Sequence, residues 1–456
     1  MLKLKFYGAA RRTSGSNFLL ESSNTKGAIS ILVDCGLHQG SHFCEKHNFE
    51  PFKYDPKEVK AIFVSHAHID HTGLIPKMYA HGFRGKVFST GPTKDFAYEL
   101  LLDSEDILKR EAEREKKQPI YTKADVDSVM ALWESVDYGG TVEVDGFKAI
   151  FKNAGHILGS ASIIIEAEGK KIIFSGDLGN SHPALINKYD LIEEPVDYCL
   201  VESTYGDRLH GDLSAKEGIL EDVVEETVKA GGVLMIPAFA MERTQMLLAQ
   251  LDELVENGRI PRVPVFIDSP LAIRLSSIYK WYYDKFINEE AKKIIGTSRM
   301  FFDFPGLKVT NTTRQSIAIN KVPAPKIIIA GSGMSNGGRI LRHEARYLSD
   351  PKSTILFVGY QAEGTLGRRI LDGEKTVKIL REKVSVRARV VNIPEYSAHA
   401  DQKDLLEWLY PMRKSLKKVF VVQGEQHASE TLAVLIKDKL AVDAVAPSLN
   451  EEVILE

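Results

Sequence analysis

Short apolar runs broken by glycine turns open the chain. Met1-Leu2-Lys3-Leu4-Lys5-Phe6 alternates at period two and predicts a strand over 3–7, with further strands over 17–21 and 29–33. Val59-Lys60-Ala61-Ile62-Phe63-Val64 is a β-branched, apolar run that reads as a buried strand, and an amphipathic helix follows it to about 81–82. The pattern continues with a strand over 86–89, a long helix over 92–117, and strands across 141–153, 162–167, 171–174 and 197–201. After residue 206 the period changes. Helices over 214–230 and 243–256, within 270–320 and over 338–348 alternate with apolar strands over 232–236, 263–267, 326–330 and 354–358. That alternation predicts a doubly wound, mostly parallel sheet inserted into the first domain. Strands near 384–391 return the chain to that domain, followed by a helix over 402–410, a strand over 418–422 and a last helix. The expected parts are 1–206, 207–381 and 382–456, the first and last forming one domain. At 456 residues the chain is too long for one ordinary core.

Chemistry collects where strands end in turns. Ser65-His66-Ala67-His68-Ile69-Asp70-His71 follows the apolar run directly, and imidazole and carboxylate are the donors that zinc and similar ions favour. His66 and His68 are two residues apart on extended chain and point the same way. A solvated, histidine-rich turn is the bland alternative, and four donors in six residues at a strand end argue against it. His156, in Ala154-Gly155-His156-Ile157-Leu158-Gly159-Ser160, and Asp177, in Ser175-Gly176-Asp177-Leu178-Gly179, repeat the design at two more strand ends. Asp177 is expected to bridge two ions, one oxygen to each. Asp34, where the third strand ends, is expected to orient a metal-bound histidine.

Bulk numbers change the picture little. The chain is 44% hydrophobic and 27% charged, an ordinary globular composition. It has no 18-residue apolar run and no signal peptide, which excludes a membrane span and predicts a cytoplasmic protein. Cys35, Cys44 and Cys199 are odd in number and unpaired in spacing, so no disulfide framework is expected. Residues 207–381 carry 25 Lys and Arg against 21 Asp and Glu, and the remainder 34 against 41. A metal domain counted without its ions should look acidic, and the more basic middle hints at a polyanionic partner.

His66-x-His68-x-Asp70-His71 resembles the signature of the metallo-β-lactamase fold. With Glu202-Ser203-Thr204-Tyr205-Gly206, the inserted α/β domain, Gly331-Ser332-Gly333-Met334, the run from Gly359 to Arg369 and Tyr396-Ser397-Ala398-His399-Ala400-Asp401, the chain is similar to the β-CASP nucleases. The resemblance implies an αββα sandwich with an inserted β-CASP domain and an active site in the cleft between them. It also implies two divalent ions, zinc at both or manganese at the second. His66, His68, His156 and Asp177 would hold one ion, and Asp70, His71 and Asp177 the other. Hydrolysis of a phosphodiester would use a hydroxide bridging the ions as nucleophile. His399 would be the general acid, oriented by Glu202. Asp70, Asp177, Glu202 and His399 are thus the expected catalytic residues. RNA is expected ahead of DNA as substrate, no membrane is involved, and a homodimer is allowed. The rival readings are a DNA nuclease of the same branch and a metal-poor, RNA-binding scaffold.

Gly331-Ser332-Gly333-Met334-Ser335-Asn336-Gly337-Gly338-Arg339 follows a predicted strand, but its glycine spacing is not that of a dinucleotide fingerprint. Ser332, Gly333 and Met334 are expected to cradle a phosphate at a helix N-terminus, with Arg243, Arg339 and Arg368 as phosphate partners. One position departs from the family. Where the resemblance calls for His-Gly-Glu after the last strand, the run is Val421-Val422-Gln423-Gly424-Glu425-Gln426-His427. Glutamine is a neutral, hard donor, so the second ion should bind more weakly or favour manganese, through Gln423 or through His427 swinging in.

Overall fold

In the computed structural model, residues 1–24, 27–40, 45–211, 215–295, 302–359, 361–362, 364–393 and 396–456 are described. Cys44, Ser214 at the expected start of a helix, and Tyr360 and Glu363 of the Gly359–Arg369 run lie outside them. The contacts divide the chain into Met1–Leu209 with Ala398–Glu456, and His210–Ser397.

The first unit holds two seven-stranded sheets. One runs Glu452–Leu455, Leu2–Phe6, Phe18–Asn24, Gly27–Val33, Val59–Phe63, Lys86–Ser89, Trp133–Ser135. The other runs Ala444–Val445, Lys418–Val421, Tyr198–Val201, Lys170–Phe174, Ala161–Ala167, Phe147–Asn153, Thr141–Val144. Their inner faces share one core, in which Phe6, Phe18 and Phe63 meet Phe420, Phe174 and Phe151. The outer face of the second sheet is covered by helices Gln402–Leu409 and Gln426–Leu440, with Trp408 and Leu432 fully buried. Helices Ile75–Ala80, Gly91–Glu115 and Lys123–Met130 pack together beside the first sheet. This is an αββα sandwich.

The second unit is built on a six-stranded sheet, Leu307–Val309, Val265–Ile267, Lys326–Ala330, Val233–Pro237, Thr354–Val358, Arg389–Ile393, with every neighbouring pair parallel. Its central strands are buried along their whole length, which is why they read as unbroken apolar runs. Strand Arg389–Ile393 pairs with Thr354–Val358, so the chain stays in this unit through Ser397, further than the expected boundary after Arg381. Among the described residues no helix is long and apolar enough to cross a membrane.

Several elements have no counterpart in the apolar pattern, among them helix Lys123–Met130 and strands Leu307–Val309 and Thr376–Ile379. Trp133–Ser135 and Ala444–Val445 are too short to show a period, and Glu452–Leu455 is half exposed, fixed only by its antiparallel pairing with Leu2–Phe6. The strands expected across 141–153 form a hairpin, Thr141–Val144 with Phe147–Asn153, turning at Asp145-Gly146 where both residues have positive φ.

Candidate metal centre

All the expected metal-binding side chains lie in the first unit, at strand ends. Strand Val59–Phe63 leads into Ser65-His66-Ala67-His68, and the single helical turn Ile69–Thr72 follows. Asp34, with φ +59°, closes the neighbouring strand. Its Oδ1 accepts Ser65 N–H at 2.8 Å, and its Oδ2 lies 2.7 Å from His71 Nδ1. The helical turn is stitched down by Cys35 N–H to the His71 carbonyl and Ser16 N–H to the Asp70 carbonyl, both at 2.8 Å. Gly36 makes this approach possible, because a Cβ there would stand 1.6 Å from the Asp70 oxygen. The turns bearing His156 and Asp177 press together in the same way. Gly179 N–H donates to the Ala154 carbonyl, and a Cβ at 179 would meet the Gly155 oxygen at 1.7 Å.

The result is one compact donor set. His66 Nε2 lies 3.0 Å from His68 Nδ1 and 3.4 Å from Asp177 Oδ2; His156 Nε2 lies 3.3 Å from His68 Nδ1 and 3.7 Å from the same carboxylate oxygen. A tetrahedral ion with bonds of about 2.1 Å sets its donors roughly 3.4 Å apart, so these four atoms fit a zinc-like cation. His66, His156 and Asp177 are buried and His68 half-buried. Desolvation pushes His68 and His156 well below the usual histidine range, toward the neutral form that binds metal.

Asp177 turns its other oxygen away from this set. Oδ1 has no hydrogen-bond partner among the described residues and lies 3.4 Å from His71 Nε2, which is 3.8 Å from Asp70 Oδ2. The residue completing this second group is Gln423. Its Nε2 lies 3.0 Å from Asp70 Oδ2, 3.1 Å from His71 Nε2 and 3.0 Å from the carbonyl oxygen of Thr13. His427 is exposed on helix Gln426–Leu440. Nothing in the sequence singles out Thr13, since a main-chain carbonyl leaves no residue-type signal.

Beside the donors, Glu202 is fully buried at the end of strand Tyr198–Val201. Its Oε1 accepts Leu178 N–H at 2.7 Å and lies 3.2 Å from His399 Nδ1, while Oε2 accepts Thr204 N–H at 3.2 Å. Segment 398–400 is laced to segment 178–180 by Asn180 N–H to the Ala398 carbonyl and Ala400 N–H to the Leu178 carbonyl. That lacing sets the His399 ring 4.5 Å from the ring of His156, with its side chain 23% exposed.

The expected phosphate partners lie in the second unit, and several need correction. Helix Ile340–Tyr347 begins well after Ser332, Gly333 and Met334, which form turns and so do not sit at a helix N-terminus. Ser332 N–H donates to the Gly337 carbonyl at 3.2 Å, and its hydroxyl accepts Asn336 and Gly337 N–H. The carbonyls of Gly333 and Met334 are taken by Gln361 Nε2 and Gly367 N–H. Arg339 is held by Asp268 at 2.7 Å and by the carbonyls of Thr310 and Asn311, partners that give it a structural role. Arg368 grips Asp372 one helical turn on, at an exposed site. Arg243 opens helix Arg243–Glu256, half-buried, with its Nε 3.8 Å from where a Cβ on Gly359 would stand.

Arg339→Ala should therefore act on stability. Asp268 is fully buried and keeps His343, Ser316 and Thr310 as donors, so losing the guanidinium should cost about 1–3 kcal/mol in denaturant unfolding and leave RNA affinity unchanged. A loss of RNA affinity at unchanged stability would return Arg339 to the substrate.

Three family models match the chain: the metallo-β-lactamase superfamily over residues 11–192, the β-CASP domain over 244–370, and the Zn-dependent metallo-hydrolase RNA specificity domain over 383–447. Ribonuclease TTHA0252 of Thermus thermophilus is 36% identical, covering 94% of this chain and 95% of its own. The RNase J-like protein of Methanocaldococcus jannaschii is 32% identical over 98% of both, and transcription termination factor FttA of Methanosarcina mazei 32% over 96% of this chain and 69% of its own. A crystal structure of a protein of unknown function from Enterococcus faecalis V583 superposes with TM-score 0.58 over 100% of both chains at 11% identity, a likeness of fold alone. With these relatives matched along nearly its whole length, the chain belongs to the β-CASP nucleases of the metallo-β-lactamase superfamily.

Proposed function

We propose that this centre hydrolyses RNA phosphodiesters as a metal-dependent ribonuclease. The observation that carries the reading is the four-donor set of His66, His68, His156 and Asp177 with the Glu202–His399 pair beside it. The likeness to a ribonuclease and to an RNase J-like protein supports RNA as substrate, as does the match to an RNA specificity domain. His66, His68, His156 and Asp177 would hold one divalent ion, zinc by their donor chemistry; Asp70, His71 and Asp177 would hold the second, zinc or manganese. Ions bound there would lower the pKa of water and offset the phosphate charge.

The chain's own residues supply the rest. Asp177 offers one oxygen to each group and couples the two positions. Asp34 engages His71 Nδ1 and leaves Nε2 directed at Asp70 and Asp177. Glu202 engages His399 Nδ1, so a proton can be carried on Nε2 and delivered to the leaving oxygen as its bond to phosphorus breaks. The buried carboxylate steadies the imidazolium before that transfer. Buried, unpaired Cys35 and Cys199 suit a cytoplasmic setting.

Matched single-stranded RNA and DNA, each incubated with protein of measured metal content, test the reading. RNA cleavage with DNA left intact is expected. Equal cutting of both would make this a nuclease without sugar preference, and binding without cleavage at full metal content would make it a scaffold.

A further inference from the structure

We infer that Gln423 makes the second cation optional: its amide closes the second donor group when no ion is there, and accepts an ion by turning over. The inference rests on the two-ion reading above and adds that the two positions are unlike. In the first group the four donor atoms lie within 4.8 Å of one another. In the second, one amide nitrogen sits within 3.0–3.1 Å of Asp70 Oδ2, His71 Nε2 and the Thr13 carbonyl. Its two hydrogens reach the Asp70 carboxylate and the Thr13 carbonyl, offering positive charge in the place where a cation would otherwise satisfy those oxygens. A carboxylate in that place would have no hydrogen to give, and a neutral histidine only one.

The position of the amide is not accidental. Gln423 has φ +49°, in the left-handed region, and is held there by its N–H to the Ala9 carbonyl at 2.8 Å and by Thr204 Oγ1 to its own carbonyl at 3.2 Å. The residue is buried, and its Oε1 has no hydrogen-bond partner among the described residues. A half-turn about the terminal torsion exchanges the two ends. Oε1, a hard neutral donor, then meets the Asp70 and Thr13 oxygens, which it could do favourably only with a cation between them. Asp177 Oδ1, also without a hydrogen-bond partner among the described residues, lies 3.4 Å from the same His71 nitrogen. The cation this arrangement suits is hard and exchangeable, of the manganese or magnesium kind, and the fold does not depend on it.

Metal content after dialysis against a chelator, followed by manganese titration, reads the inference directly. The wild type should keep about one ion per chain and take up a second with affinity about 10–100-fold weaker, reversibly. Gln423→His should keep two. Thermal unfolding gives an independent reading. Stripping the weak ion should lower the wild-type melting temperature only slightly, because the amide takes over and the weakly held ion adds little. In Gln423→Glu it should fall further, and recover with manganese, because two carboxylates then face each other unscreened. Two chelator-resistant ions in the wild type, a single one in Gln423→His, or a wild-type melting temperature that follows the second ion as Gln423→Glu does would each overturn the inference. Absence of RNA cleavage by protein that loads in the expected pattern would instead sink the ribonuclease reading and leave the amide's role intact.

Discussion

Replacing His399 with alanine is expected to slow RNA cleavage by about 10²–10⁴-fold, the usual worth of a positioned proton donor, while the bound metal stays unchanged. His399 stands beside the four-donor set without belonging to it: its Nδ1 is engaged by Glu202, and its ring packs 4.5 Å from His156. The loss should fall on kcat, since the proton is needed only as the leaving oxygen departs. Glu202→Gln should give a smaller loss of the same kind, because a neutral amide still meets Nδ1 but no longer steadies the imidazolium. Metal analysis of the His399 variant decides between roles. Release of an ion would make His399 a ligand and void the assignment.

The second large effect is expected at Asp177. Asp177→Asn keeps the side chain's size and one carbonyl oxygen but removes the charge that faces His66 and His156 through Oδ2 and His71 through Oδ1. Both positions should weaken together. Metal content should drop below one ion per chain, and cleavage should fall by about 10³-fold or more, since several kcal/mol of charge stabilisation leaves with the ions. A variant that kept one ion at full occupancy would show that Asp177 serves a single position. The two variants thus separate chemistry from binding: one keeps its metal and stops working, the other stops working because the metal has gone.

The donor residues were legible in the sequence because each sits where a strand meets a turn, and that arrangement is local. His66, His68, Asp70 and His71 fall within six residues, and His156 and Asp177 are each flanked by glycines that let two turns pack tightly. The long apolar strands were legible for the same reason. Lys326–Ala330 and Thr354–Val358 are buried on both faces and carry an unbroken run of apolar residues in any context. Short strands such as Ala444–Val445 were not, because two residues have no period to display.

The arginines mark where this local logic ends. Arg339 follows a glycine-rich turn, which suggested a phosphate, yet its partner Asp268 comes from 71 residues earlier, brought alongside by the parallel sheet. Nothing near Arg339 in sequence announces a buried carboxylate. Gln423 is the same lesson at longer range: its neighbours Asp70 and His71 lie 353 and 352 residues away, and the Thr13 carbonyl 410. Residue types and their spacing determined which family this chain joins, which donors it carries and that one of them is a glutamine. Only the tertiary structure decided that the glutamine presents its nitrogen to the Asp70 and Thr13 oxygens and, among the described residues, leaves its own oxygen without a partner. Donor identity is a property of single residues; hydrogen-bond direction and carbonyl placement depend on which distant segments the sheets bring within about 3 Å.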